Sequence, residues 1–120
     1  ATRPTPVASI LSPLLHDIEK TGFGKNNITI IVALGTHEAM HNEALNQRLG
    51  NDILSQYRVV QHNAWQSDLV PVVIPGDQRV LKINPEVSRA DFRIGISSIL
   101  PHPMAGYGGG QSASCLRLCY

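Results

Sequence analysis

The segment Ile28-Thr29-Ile30-Ile31-Val32-Ala33-Leu34 is a nearly unbroken apolar run, rich in β-branched residues. A run of this kind predicts a strand buried on both faces, the pattern of a parallel sheet with covered sides. Gly35-Thr36 breaks it. The segments on either side then decide whether helices are available to cover the strand.

They are. Val7, Ile10, Leu11, Leu14, Leu15 and Ile18 recur at helical spacing, and Gly22 supplies a stop just past Lys20. Pro13 either kinks this helix or marks its true first turn with Ser12 as cap. Asn42 is the expected cap of a second helix with Leu45 and Leu49 on its inner face and Gly50 as terminator. Further strands are expected over 57–60, 69–74 and 79–83. Pro71 demotes the middle one to an edge or a bend, and Pro75-Gly76-Asp77 turns it into a hairpin. Residues 85–89 predict a helical turn. Residues 92–100 predict the last strand, ended by Pro101. The order implies an α/β fold: a Rossmann-like open, mostly parallel sheet with flanking helices, in a single domain.

Composition supports this and narrows the function. With 120 residues, 42% of them hydrophobic and 16% charged, the chain suits one small domain with a real core. The net charge is +1 and no basic cluster tracks a phosphate backbone, so no nucleic-acid partner is expected. No apolar run approaches the ~20 residues of a spanning helix, and no export signal is visible, so no membrane partner is expected. The opening Ala1-Thr2-Arg3-Pro4 lacks Met and enters a motif directly, unlike a native start. Cys115 and Cys119 are the two cysteines. They suggest no disulfide framework, a cytoplasmic location and free thiols in a loose tail.

Ligands of open α/β sheets gather beyond the carboxyl ends of the strands. His37 follows one predicted strand end and His102 another. If those strands are parallel neighbours, the two imidazoles share one edge. Pro101 and Pro103 stiffen the backbone around His102. The run Met104-Ala105-Gly106-Tyr107-Gly108-Gly109-Gly110 lets backbone N–H groups approach an anion or a planar ligand. It ends in no Walker lysine and opens no G-x-G-x-x-G helix. Arg3 offers a planar fork suited to a carboxylate. An anion anchor with two proton-transfer groups is a kit for a small hydroxy acid.

A rival pattern overlaps. His37-Glu38-Ala39-Met40-His41 matches H-E-x-x-H, which needs both histidines on one face of an established helix to hold zinc. Here a strand and a Gly-Thr break come immediately before it. A zinc peptidase, with His62 or His102 as the third ligand, is the less favoured alternative. His16 and His62 are otherwise given surface or packing roles. The aspartates show no paired-carboxylate spacing, and Ser97-Ser98 has no nucleophile-elbow context.

Taken together, Thr2-Arg3-Pro4, the segment from Ile28 to His37, and Pro101-His102-Pro103 with the glycine run resemble the N-terminal domain of the nickel-pincer lactate racemase family. His62-Asn63-Ala64 and Arg89-Ala90-Asp91-Phe92-Arg93-Ile94-Gly95-Ile96 are similar too. The resemblance covers residues 1–110 and implies a two-domain enzyme with its site between the domains. It implies a nickel-pincer mononucleotide that takes hydride from the α-carbon of a small 2-hydroxy acid. It assigns His37 and His102 as the alternating base and acid, and Arg3 as the carboxylate anchor. Thr2, Gly106, Tyr107, Gly108 and Gly109 would contact the cofactor.

The chain also departs from that pattern. Gln111 and Ser112 stand where the family continues with Ala-Lys, so the covalent attachment Lys is missing. Residues 111–120 no longer resemble the family and read as a divergent tail, the product of a frameshift or an engineered scar. The nickel-ligating His and the C-terminal domain are absent. The expectation is a fragment inactive alone, with an uncovered interface able to self-associate. A non-catalytic ligand-binding or assembly module of the same fold is the alternative.

Overall fold

The computed structural model describes residues 6–73, 75–76, 80–102, 106–108 and 114–118. Helix α1 (Val7–Lys20) buries Val7, Leu11 and Leu15 in one stripe, with Leu14 and Ile18 half-buried beside it. Pro13 lies inside the helix on its exposed side, so α1 runs through the proline and does not begin there. Gly22, at φ +97°, turns the chain away just past the helix end, as expected. A 3-10 turn (Lys25–Asn27) leads into β1 (Ile28–Val32), which is buried at all five positions.

Helix α2 (Asn42–Leu49) buries Leu45 and Leu49, and His41 rather than Asn42 occupies its N-cap position. Gly50, at φ 89° and ψ 148°, ends α2 and starts α3 (Asn51–Gln56). That backbone region is essentially closed to residues with a Cβ. Sequence periodicity missed α3 because six residues with one buried side chain, Ile53, are too few to show a repeat.

Strand β2 (Arg58–Gln61) pairs parallel with β1, Thr29 opposite Arg58 and Val32 opposite Gln61. β3 (Val70–Val73) and β4 (Val80–Ile83) form the predicted antiparallel hairpin. Pro71 is tolerated there because a two-stranded ribbon leaves one side of each strand unpaired. Helix α4 (Pro85–Ser88) starts with Pro85 at its first turn, and the Asn84 side chain accepts the Glu86 N–H at 2.9 Å. β5 (Phe92–Ile96) follows.

Two expectations fail from here on. The last strand does not continue to residue 100. It ends at Ile96, and β6 (Leu100–His102) pairs instead with β7 (Gly106–Gly108) in a separate ribbon. Pro101 therefore sits within a strand, opposite Tyr107, and terminates nothing. The tail is not loose either. Its backbone forms β8 (Ser114–Leu118), which lies between β1 and β5 and runs antiparallel to both. One strand-width separates β1 from β5, and a strand in that slot satisfies the facing N–H and C=O groups of both.

The sheet order is β2-β1-β8-β5. Since β8 opposes both neighbours, β1, β2 and β5 share one direction. The result is a small mixed helix-and-strand domain built on a parallel pair. Its core lies on one face of β1, where Ile28, Ile30, Val32 and Ile96 meet Val7, Leu11, Leu15, Leu45, Leu49 and Ile53 from the three long-range helices. No helix among the described residues is long and apolar enough to cross a membrane.

Leu11 is 1% exposed and its neighbour Ile10 is 42% exposed. Leu11→Ala is expected to cost about 2–5 kcal/mol of unfolding free energy. Ile10→Ala on the same helix is expected to cost under about 1 kcal/mol. Urea denaturation of both variants checks the assignment of the buried stripe; equal losses would contradict it.

Candidate functional site at the carboxyl edge of the sheet

Because β1, β2 and β5 run the same way, their carboxyl ends lie along one edge. Three connections leave from that edge: residues 33–41 after β1, residues 62–69 after β2, and residues 97–113 after β5. The third begins beside Ile96 and returns at its register partner Ser114. Open sheets collect ligands at such an edge.

The β1 connection opens with a turn in which the His37 N–H donates to the Leu34 carbonyl at 3.1 Å. Gly35 holds φ +61° within it, a left-handed conformation that a Cβ disfavours. Residues 35–39 are exposed, His37 among them, while the Leu34 and Met40 side chains lie against the core. His37 thus stands in solvent on a loop anchored at both ends. The loop continues without helix to His41. The H-E-x-x-H residues therefore precede α2, and the two histidines are not presented on one helical face. The zincin reading of His37-Glu38-x-x-His41 is corrected on that ground.

His102 closes β6 with its backbone opposite Gly106; its side chain lies outside the described residues. Thr2, Arg3 and Gly109 also lie outside them. Gly106 (φ +71°), Tyr107 and Gly108 form β7, and Tyr107 is 72% exposed.

The β2 end carries His62, expected in a surface or packing role, together with Gln61, Trp65 and Asn84, which the sequence did not single out. The Gln61 side chain brackets the Met40 peptide: Met40 N–H donates to Oε1 at 2.6 Å, and Nε2 donates to the Met40 carbonyl at 3.0 Å. His62 N–H extends the parallel ladder to the Val32 carbonyl at 2.9 Å. The half-buried His62 ring places Nδ1 3.4 Å from Nδ2 of Asn84, which is 5% exposed. Asn84 Oδ1 is engaged by the Glu86 N–H, so its Nδ2 faces the ring. Trp65 stands 80% exposed in the same connection, its N–H held by Asn63 Oδ1 at 2.9 Å. The partners of Gln61 and Asn84 are 21 and 22 residues away in the chain. No local pattern could announce them.

Two ties place the segment that feeds β5. The Arg58 guanidinium meets Glu86 at 3.0 Å, and this carboxylate raises the arginine above its ordinary pKa. Arg93 donates to the carbonyls of Val87 at 2.7 Å and Ser88 at 3.2 Å, closing the C-terminal end of α4.

An α/β domain with a histidine loop beyond a parallel strand pair is the class these observations define. The family model described as the lactate racemase N-terminal domain matches residues 1–115, and the chain belongs to that family. It is 28% identical over 114 residues to the lactate racemase of Thermoanaerobacterium thermosaccharolyticum and 30% identical over 114 residues to that of Lactiplantibacillus plantarum. Each match covers 93% of this chain and 26% of the relative, so the chain spans about a quarter of the length of these proteins. No solved structure matches it.

A second concavity, of about 300 Å³, lies at the amino end of the sheet between α1, α3 and the turn before β1. Four of its polar residues are paired with one another. Tyr57 Oη donates to the Glu19 carboxylate, Lys25 donates to Gln56, and the Lys25 ammonium lies 3.7 Å from Glu19 and 5.6 Å from the Tyr57 ring centroid. These contacts tie α1 to the start of β2. Burial, with the Glu19 hydrogen bond and charge, pushes the Tyr57 phenol up to about 12. A folded-state pKa raised above the unfolded value of 10 holds stability below pH 10 and loses it as pH climbs toward 12. Tyr57→Phe is therefore expected to flatten the alkaline limb of a stability-against-pH curve between those values. A limb unchanged by the substitution would assign the loss to other groups.

Proposed function

We propose that this chain is the N-terminal catalytic domain of a racemase or epimerase for 2-hydroxy acids, completed by the remainder of a racemase-length protein. Family membership over residues 1–115 carries the reading. The exposed His37 loop beyond the carboxyl end of β1 supports it. Within the whole enzyme the domain would take the form of a Rossmann-like open, mostly parallel sheet; β1, β2 and β5 already share one direction. Cytoplasm, where both thiols stay reduced, is its proposed compartment.

In this reading Arg3 pairs with the substrate carboxylate through its planar fork. His37 removes the hydroxyl proton from one face and His102 returns it from the other, each imidazole serving as base in one direction and acid in the reverse. Inverting a stereocentre needs such a group on both sides of the α-carbon. Thr2, Gly106, Tyr107, Gly108 and Gly109 would hold a nickel-pincer mononucleotide. Glycine on both sides of Tyr107 leaves the β7 backbone open to a flat ligand, and the exposed phenol ring offers a face for it. The described residues bring no three His, Cys, Asp or Glu together. Nickel at this site would therefore depend on the cofactor's own donors and on residues outside the described ones. When bound, the cofactor supplies the hydride acceptor for the α-carbon. Gln111 and Ser112 cannot form the family's covalent lysine link, so binding here would be non-covalent. The same two residues favour a second reading, a non-catalytic ligand-binding or assembly module, which would bury its open face by self-association.

Reconstitution decides between them. The chain is combined with the remaining segment of either bacterial lactate racemase and with the cofactor, and optical inversion of lactate is followed by chiral chromatography. Inversion is expected only in the combined sample. His37→Ala and His102→Ala are each expected to lower kcat by about 10²–10⁴-fold. Stable complex formation without inversion in any combination would leave the module reading.

A further inference from the structure

We propose that Gln61 is a positioning residue for His37: its side-chain amide clamps the Met40 peptide and so holds the histidine loop against the end of β2. The loop geometry stands on its own, and the catalytic consequence rests on the racemase reading above.

The clamp is a two-point contact. One amide accepts from and donates to a single backbone unit, at 2.6 and 3.0 Å, in a partly buried setting. The two hydrogen bonds hold the peptide groups on either side of the Met40 Cα, and so fix the backbone torsions there as well as its position. Met40 lies three residues beyond His37. Its side chain also packs against the core, and Leu34 packs there from the other side of the turn. The exposed stretch 35–39 is thus suspended between two fixed points, and the His37 N–H to Leu34 carbonyl bond sets its near half. Without the amide, the far anchor would keep only its apolar contact. The Met40 N–H and C=O would lose their partners in a half-buried place. A nine-residue connection from 33 to 41 would then sample more backbone states, and the imidazole would occupy its working position for less of the time.

The choice of side chain also argues for this role. Gln61 is the last residue of β2, in register with Val32 at the site edge. An apolar or β-branched residue would serve the strand as well. The amide's donor and acceptor are both spent on the loop.

Amide hydrogen exchange on the chain itself reads the clamp directly. Gln61→Leu is expected to speed exchange at Met40 by about tenfold or more, the worth of one to two hydrogen bonds, with Ile30 in β1 unchanged. Gln61→Glu guards against a variant that merely fails to fold. Its ionised carboxylate can accept but not donate, and protonation below about pH 4 restores the pair. At neutral pH, exchange at Met40 is still slowed by the N–H bond the carboxylate accepts and should lie between the wild type and Gln61→Leu. Relative to Ile30 it should approach the wild type as the pH falls through that range. In the reconstituted enzyme, Gln61→Leu should lower kcat about tenfold at unchanged KM. Unchanged Met40 exchange, equal acceleration at Ile30, or faster exchange with intact kcat would each overturn the positioning role. His37→Ala in the same assembly keeps the two readings apart. If that variant retains full kcat, the acid–base reading fails, while the exchange data still judge the clamp.

Discussion

Burial of β1 on both faces is the constraint on which the domain depends. Ile28, Ile30 and Val32 are sealed by α1, α2 and α3, and Thr29 and Ile31 are also closed to solvent. Each large side chain so buried stabilises the fold by about 1.5–3 kcal/mol relative to exposure. A strand committed on both faces cannot slip by one residue, because its neighbours must keep register along the whole ladder. The parallel partner β2 is held in that register from Thr29 opposite Arg58 to Val32 opposite Gln61. The carboxyl ends of the two strands therefore finish level with one another.

That level finish is what makes a site conceivable at one end and not at the other. At the carboxyl end the chain must leave the sheet, and it leaves through exposed connections that carry His37, His62 and Trp65. The Gln61 side chain holds the backbone of the first connection at Met40, and the Asn84 side chain lies against the His62 ring of the second. At the amino end the polar groups of Glu19, Lys25, Gln56 and Tyr57 satisfy one another. A set of groups already paired internally gains little from a ligand, since each new contact must replace an existing one.

The strand β8 shows how far backbone demand can outrun family likeness. The family match ends at residue 115, partway along this strand, yet residues 114–118 all enter the sheet between β1 and β5. Two strands with facing unpaired edges attract whatever extended segment the connection delivers, and β5 delivers one after its excursion to the β6–β7 ribbon. The excursion leaves and returns at the same edge as the His37 loop.

Local order was legible in the sequence wherever one residue's neighbours along the chain decide the outcome. The stripe of α1, its stop at Gly22, the buried run of β1, the β3–β4 hairpin and the Pro85 turn are all of this kind, because periodicity and turn chemistry are properties of short windows. The candidate histidine His37 was legible for the same reason: a strand end followed by Gly-Thr marks an exit. What the tertiary structure alone decided was everything set by contact across distance. The passage of α1 through Pro13, the short helix α3, the break of the last strand at Ile96 and the placement of β8 depend on what packs or pairs against them. So do the clamp of Gln61 on Met40 and the approach of Asn84 to the His62 ring, since each needs a partner that only folding brings within reach.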